Sequence, residues 1–138
     1  MASVSVTREL EQSADRVWQL VSDFGNTSWM PAGTKCRVEG RGPGMIRHID
    51  AGSTILHETL ESLDSERRTL VYTIPGTLPF PATDYRATMI VREKGAGSEL
   101  VWSCTYEPVG DPAAAKAVMQ GLYHTLAGWV ADSLKSSS

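Results

Sequence analysis

From residue 35 to residue 108 the chain is a succession of short apolar runs cut by glycine, proline and aspartate. That punctuation restricts the possible folds more than any other feature. Runs of this length between turn residues read as strands joined by hairpins. The expected strands are 35–40, 44–50, 53–63, 67–75, 83–94 and 98–108. Their breaks are Gly40-Arg41-Gly42-Pro43-Gly44, Asp50-Ala51-Gly52, Asp64-Ser65, the stretch from Pro75 to Pro81, and Gly95-Ala96-Gly97. Consecutive hairpins give an antiparallel meander. A further strand, 3–10, opens the chain, where Val4 and Val6 alternate with Ser3, Ser5 and Thr7.

Helices flank this meander. Ser13 can cap a helix whose first turn holds Asp15, and Val17, Leu20, Val21 and Phe24 follow at helical spacing. This predicts a short helix over 14–22. Gly25, Asn26 and Pro31 then break the pattern, with a second short, irregular helix expected around Trp29 and Met30. The last segment begins with Asp111 as a cap and Pro112 at the first position. Ala115, Val118, Met119, Leu122, Tyr123, Leu126, Trp129 and Val130 fall on one broad face of a long helix. Such a helix must lie on the sheet. The fold class is α+β, a curved seven-stranded antiparallel sheet gripping the C-terminal helix.

With 138 residues and no linker or repeat, the expectation is a single domain spanning residues 1–138. The net charge of -3 argues against a nucleic-acid partner, which calls for clustered Lys and Arg. No apolar run nears the roughly 18 residues needed to cross a bilayer. The start of the chain lacks the basic and apolar regions of a signal peptide. Cys36 and Cys104 are read as two buried thiols in a reducing compartment, so the expected location is cytoplasmic.

Period-2 geometry assigns side chains to the two faces of the sheet. A tight turn at Ala51-Gly52 sets Arg47 opposite Leu56, with Glu58 diagonal to Arg47. A turn at Gly95-Ala96-Gly97 sets Met89 opposite Cys104 and Val91 opposite Trp102. The inner face then carries Met45, Ile49, Leu56, Leu60, Tyr72, Ile74, Tyr85, Met89, Val91, Trp102, Cys104 and Tyr106. Two charges, Arg47 and Glu58, share it. Buried charges are paired or wet, so they read equally as an internal ion pair or as a polar spot in an apolar cavity.

Other motifs carry less. The glycine-rich segment at 40–44 joins two strands and offers no helix N-terminus to a phosphate. His48 and His57 share the outer face; a metal pair is conceivable there, but no third ligand converges and no metal or cofactor is expected. The loop bearing Leu78 and Phe80 could gate a cavity or tuck under the helix.

The order strand, two short helices, six strands and long helix resembles the START/birch-pollen-allergen (SRPBCC) superfamily. The matching residues are Val17–Phe24, Trp29-Met30-Pro31, Cys36, Gly44-Met45-Ile46-Arg47, Glu58–Asp64, Tyr72-Thr73-Ile74, Asp84-Tyr85 and Trp102. The chain most resembles small bacterial members of the polyketide cyclase/dehydrase and lipid transport family. The resemblance implies a helix-grip fold with a cavity between sheet and helix, for lipids, hormones or polyketides. Glu58 and Tyr85 also resemble pocket residues of the abscisic-acid receptors, whose gate and latch sequences differ from Asp50-Ala51-Gly52-Ser53 and Thr77-Leu78-Pro79-Phe80 here.

These readings converge on binding of a small hydrophobic or amphipathic molecule, with Arg47, Glu58 and the tyrosines orienting a carboxylate, ketone or hydroxyl. The cavity residues expected to touch it are Arg47, Glu58, Tyr72, Tyr85, Met89, Trp102, Tyr106, Leu122, Leu126 and Trp129. The alternative is a cyclase or dehydratase using the same cavity, for which no dedicated nucleophile is visible. A protein partner is not specified by the sequence, and stable membrane insertion is not expected.

Overall fold

The computed structural model describes residues 1–50 and 52–136. Ala51, in one expected hairpin turn, and the last two serines lie outside them. Seven strands form one antiparallel sheet: β1 (Ala2–Leu10), β2 (Cys36–Glu39), β3 (Ile46–Asp50), β4 (Ile55–Asp64), β5 (Thr69–Ile74), β6 (Ala82–Lys94) and β7 (Gly97–Pro108). Their spatial order is β1-β7-β6-β5-β4-β3-β2, so the meander runs unbroken from β2 to β7 and the first strand closes beside the last. Helix α1 (Ala14–Ser22) and helix α2 (Pro112–Ser136) complete the fold.

Both helices begin where side-chain oxygens relieve orphan backbone donors. The Arg16 N–H donates to Ser13 Oγ at 3.2 Å and the Ala114 N–H to Asp111 Oδ2 at 2.9 Å. In place of a second short helix, residues 23–34 make three successive turns, with Asn26, Met30 and Thr34 N–H groups donating to Asp23, Thr27 and Pro31 carbonyls. Gly25 and Pro31 interrupt any longer helical run there.

Two irregularities bend the sheet. The register shifts between Leu60 and Ser62 on β4, and between Thr83 and Arg86 on β6. At the second, Asp84 takes a left-handed φ of 50°, a conformation aspartate tolerates better than most residues. The extra residue lets Ala82 and Tyr85 both face inward, at 1% and 4% exposure. Bulges of this kind bend and twist a strand.

Helix α2 lies against β1 and β7, and α1 against β6 and β7. The buried centre of α2 is Ala115, Met119, Tyr123, Ala127, Val130, Ala131 and Leu134. Val118 was expected on this face but is 50% exposed. The buried stripe is rotated toward Ala127 and Ala131, whose small side chains allow close approach to the sheet. Leu122, Leu126 and Trp129 thereby come to one flank of the helix, half-buried. No helix among the described residues is long and apolar enough to cross a membrane. Cys104 is buried, Cys36 half-buried, and both are free thiols.

Candidate functional site

Because α2 covers the β1 and β7 side of the inner face, the side formed by β3, β4 and β5 needs another cover. A recess of about 270 Å³ remains there. Its sheet wall is Ile49, Leu56, Glu58, Tyr72, Ile74 and Tyr85. The flank of α2 contributes Leu122, Leu126 and Trp129. Met30, Pro31 and Thr34 from the turn segment and Pro79 and Phe80 from the β5–β6 loop close the remaining sides, with Asp50 at the end of β3.

Glu58 is the buried charge in this lining, 7% exposed. It stands directly opposite Arg47 across β3 and β4. The Arg47 Nε donates to Glu58 Oε1 at 2.6 Å, and Nη1 donates to the Phe24 carbonyl at 3.0 Å. The guanidinium carbon lies 3.8 Å from the centre of the Phe24 ring, 5.4 Å from that of Tyr72 and 5.9 Å from that of Trp29. Arg47 is therefore enclosed by aromatic faces, which favour a cation, and is absent from the recess lining. It ties the segment carrying Phe24 and Trp29 to the sheet.

Two buried hydrogen bonds hold the tyrosines of this wall. Trp102 Nε1 donates to Tyr72 Oη at 3.2 Å. The hydroxyls of Tyr85 and Tyr123 are hydrogen-bonded to each other. Burial pushes the phenols of Tyr72, Tyr85 and Tyr123 above their ordinary range, with the Glu58 carboxylate adding to the effect on Tyr72. All three stay protonated at neutral pH and can donate or accept hydrogen bonds.

Of the residues expected at a cavity, Glu58, Tyr72, Tyr85, Leu122, Leu126, Trp129 and Phe80 meet at the recess. Met89, Trp102 and Tyr106 do not: they are packed in the hydrophobic core at 2%, 1% and 0% exposure. The Tyr106 hydroxyl has no hydrogen-bond partner among the described residues. Leu78 packs against the core, half-buried, away from the lining. In the sequence Tyr123 falls on the apolar face of α2; its hydroxyl contact with Tyr85 depends on how α2 docks and leaves no local sequence signal. On the outer face His48 and His57 pair across strands with their Nδ1 atoms 2.6 Å apart, and Glu39 Oε1 lies 3.3 Å from His48 Nε2. No group of three or more metal-ligating side chains converges among the described residues.

Residues 1–135 match the family described as polyketide cyclase / dehydrase and lipid transport. No curated protein matches the chain. Among solved structures, a Bacillus thuringiensis protein is 26% identical with a TM-score of 0.81, covering 96% of this chain and 98% of its own. A Thermobifida fusca protein is 31% identical with a TM-score of 0.72, over 86% of this chain and 80% of its own. Norcoclaurine synthase from Thalictrum flavum, solved with dopamine and hydroxybenzaldehyde, shares the fold at 21% identity and a TM-score of 0.76, over 99% of this chain and 88% of its own.

Proposed function

The chain belongs to the polyketide cyclase/dehydrase and lipid transport family, and from that premise we propose that it binds a small hydrophobic or amphipathic molecule in the recess beside α2. The observation that carries this reading is a hollow with apolar walls and one buried carboxylate, Glu58, facing it. Apolar walls supply affinity by removing a ligand's surface from water, and a few fixed polar groups set its orientation. In this reading Ile49, Leu56, Leu122, Leu126 and Trp129 grip the apolar body. Glu58, Tyr72 and Tyr85 meet the polar head, and Phe80 borders the entrance.

Native mass spectrometry of the protein purified from its own host tests the proposal. The expected result is a small-molecule adduct that Leu126→Trp, which fills the recess, removes without unfolding the chain. An adduct that survives Leu126→Trp unchanged would place the molecule elsewhere and overturn the reading.

A further inference from the structure

The charged groups that face the recess carry one sign. Among the described residues, no lysine, arginine or histidine lines it, whereas two carboxylates do, Glu58 and Asp50. The sequence alone allowed Arg47 to meet a ligand carboxylate. Its Nε is instead committed to Glu58, its Nη1 to the Phe24 carbonyl, and its face to the Phe24 ring. From this we infer that the recess accepts molecules whose polar head is an uncharged or cationic hydrogen-bond donor (a hydroxyl or an amine) and turns away carboxylates; the inference rests on the ligand-binding reading above.

The physical argument is one of matching. A carboxylate head would enter beside the Glu58 carboxylate with no cation in the lining to compensate it, and like charges in a poorly solvated site repel strongly. Tyrosine donors relieve only part of this: the Tyr85 hydroxyl is engaged with Tyr123, and Tyr72, whose oxygen accepts from Trp102, keeps a single O–H to set against two like charges. A donor head meets the opposite situation. An ionised carboxylate accepts several hydrogen bonds, and Arg47 Nε occupies only one direction at Oε1. Tyr72, Phe80, Tyr85 and Trp129 supply aromatic surface for the body of the molecule. Aromatic faces also tolerate a cation and disfavour an anion.

Four probes with one aromatic body separate these terms: naphthylethanol, naphthylethylamine, naphthylacetate and methyl naphthylacetate, titrated calorimetrically at neutral pH. The alcohol or the amine is expected to bind at least about tenfold tighter than naphthylacetate, a difference of about 1.4 kcal/mol. The methyl ester, which accepts but does not donate, should also bind more weakly than the alcohol. An alcohol tighter than the amine identifies a neutral donor as the preferred head; the reverse identifies a cation. Glu58→Gln should shrink the gap between alcohol and carboxylate to within about threefold. The wild-type comparison stands on its own if that variant does not fold. Naphthylacetate binding as tightly as the alcohol overturns the inference and leaves ligand binding intact. Failure of all four probes to bind folded protein removes the ligand-binding reading itself.

Discussion

Arg47 and Glu58 stand opposite each other on β3 and β4, and the arginine's Nε donates to the glutamate's Oε1 at 2.6 Å with both side chains nearly sealed from solvent. The pair has two jobs on two sides. Arg47 fastens the Phe24–Trp29 segment to the sheet, and Glu58 presents a carboxylate to the recess. Removing the cation leaves a buried carboxylate without its partner, a loss of about 3–5 kcal/mol. Arg47→Met should therefore lower the urea midpoint steeply. Glu58→Gln keeps an acceptor for the guanidinium and should cost less. The double variant Arg47→Met/Glu58→Met should recover most of the loss, and a double variant no better than Arg47→Met would contradict this account.

Two inner-facing tyrosines on the neighbouring strands β6 and β7 differ in how their hydroxyls are served. Tyr85 is hydrogen-bonded to Tyr123, whereas the Tyr106 hydroxyl is buried without a partner among the described residues. Tyr85→Phe should cost about 1 kcal/mol. Tyr106→Phe should leave thermal stability unchanged or raise it. Melting curves of the two variants side by side check the contrast.

Alkaline pH should unfold the protein with unusual steepness. The phenols of Tyr72, Tyr85 and Tyr123 are held above the ordinary value of 10.0 by burial. Below that pH both folded and unfolded chains keep the protons and stability is unaffected. Above it the unfolded chain ionises first, so stability falls by up to about 1.4 kcal/mol per pH unit for each such tyrosine until its folded pKa is reached. Denaturant melts at several pH values above 10 should show this slope, and Tyr85→Phe should reduce it by one proton.

Two glycines test backbone packing. A Cβ on Gly97 would lie 2.3 Å from the Leu10 carbonyl oxygen, a collision with main chain at the β1–β7 junction. Gly97→Ala should therefore destabilise. Gly121 in α2 has nothing within 4 Å of such a Cβ, so Gly121→Ala should stabilise by roughly 0.5–1 kcal/mol. Equal effects from the two would show that backbone proximity at Gly97 is irrelevant.

Much of the architecture was legible because alternation survives an even error. The turn expected at Ala51-Gly52 places Arg47 against Leu56, but Arg47 pairs with Glu58 because Asp50 pairs with Ile55 across a longer loop. The same two-residue displacement puts Met89 opposite Trp102 rather than Cys104. A shift of two keeps every side chain on its face, so the inner-face residues follow from the sequence while their partners do not. The rotation of α2 was hidden because hydropathy gives Ala127 and Ala131 little weight, although their small size decides how the helix seats. The position of Arg47 behind the wall was hidden for another reason. It depends on Phe24 and Trp29 folding across from a segment without periodic pattern.

Four tryptophans are distributed through the chain, and Trp129 alone among them borders the recess, while Trp18, Trp29 and Trp102 are buried elsewhere. On the ligand-binding proposal, a molecule that fills the recess lies against that indole, so the protein carries its own optical reporter. Occupancy should register as a partial change in intrinsic emission, confined to the fraction contributed by one fluorophore, and a Trp129→Phe variant would go dark to the same event.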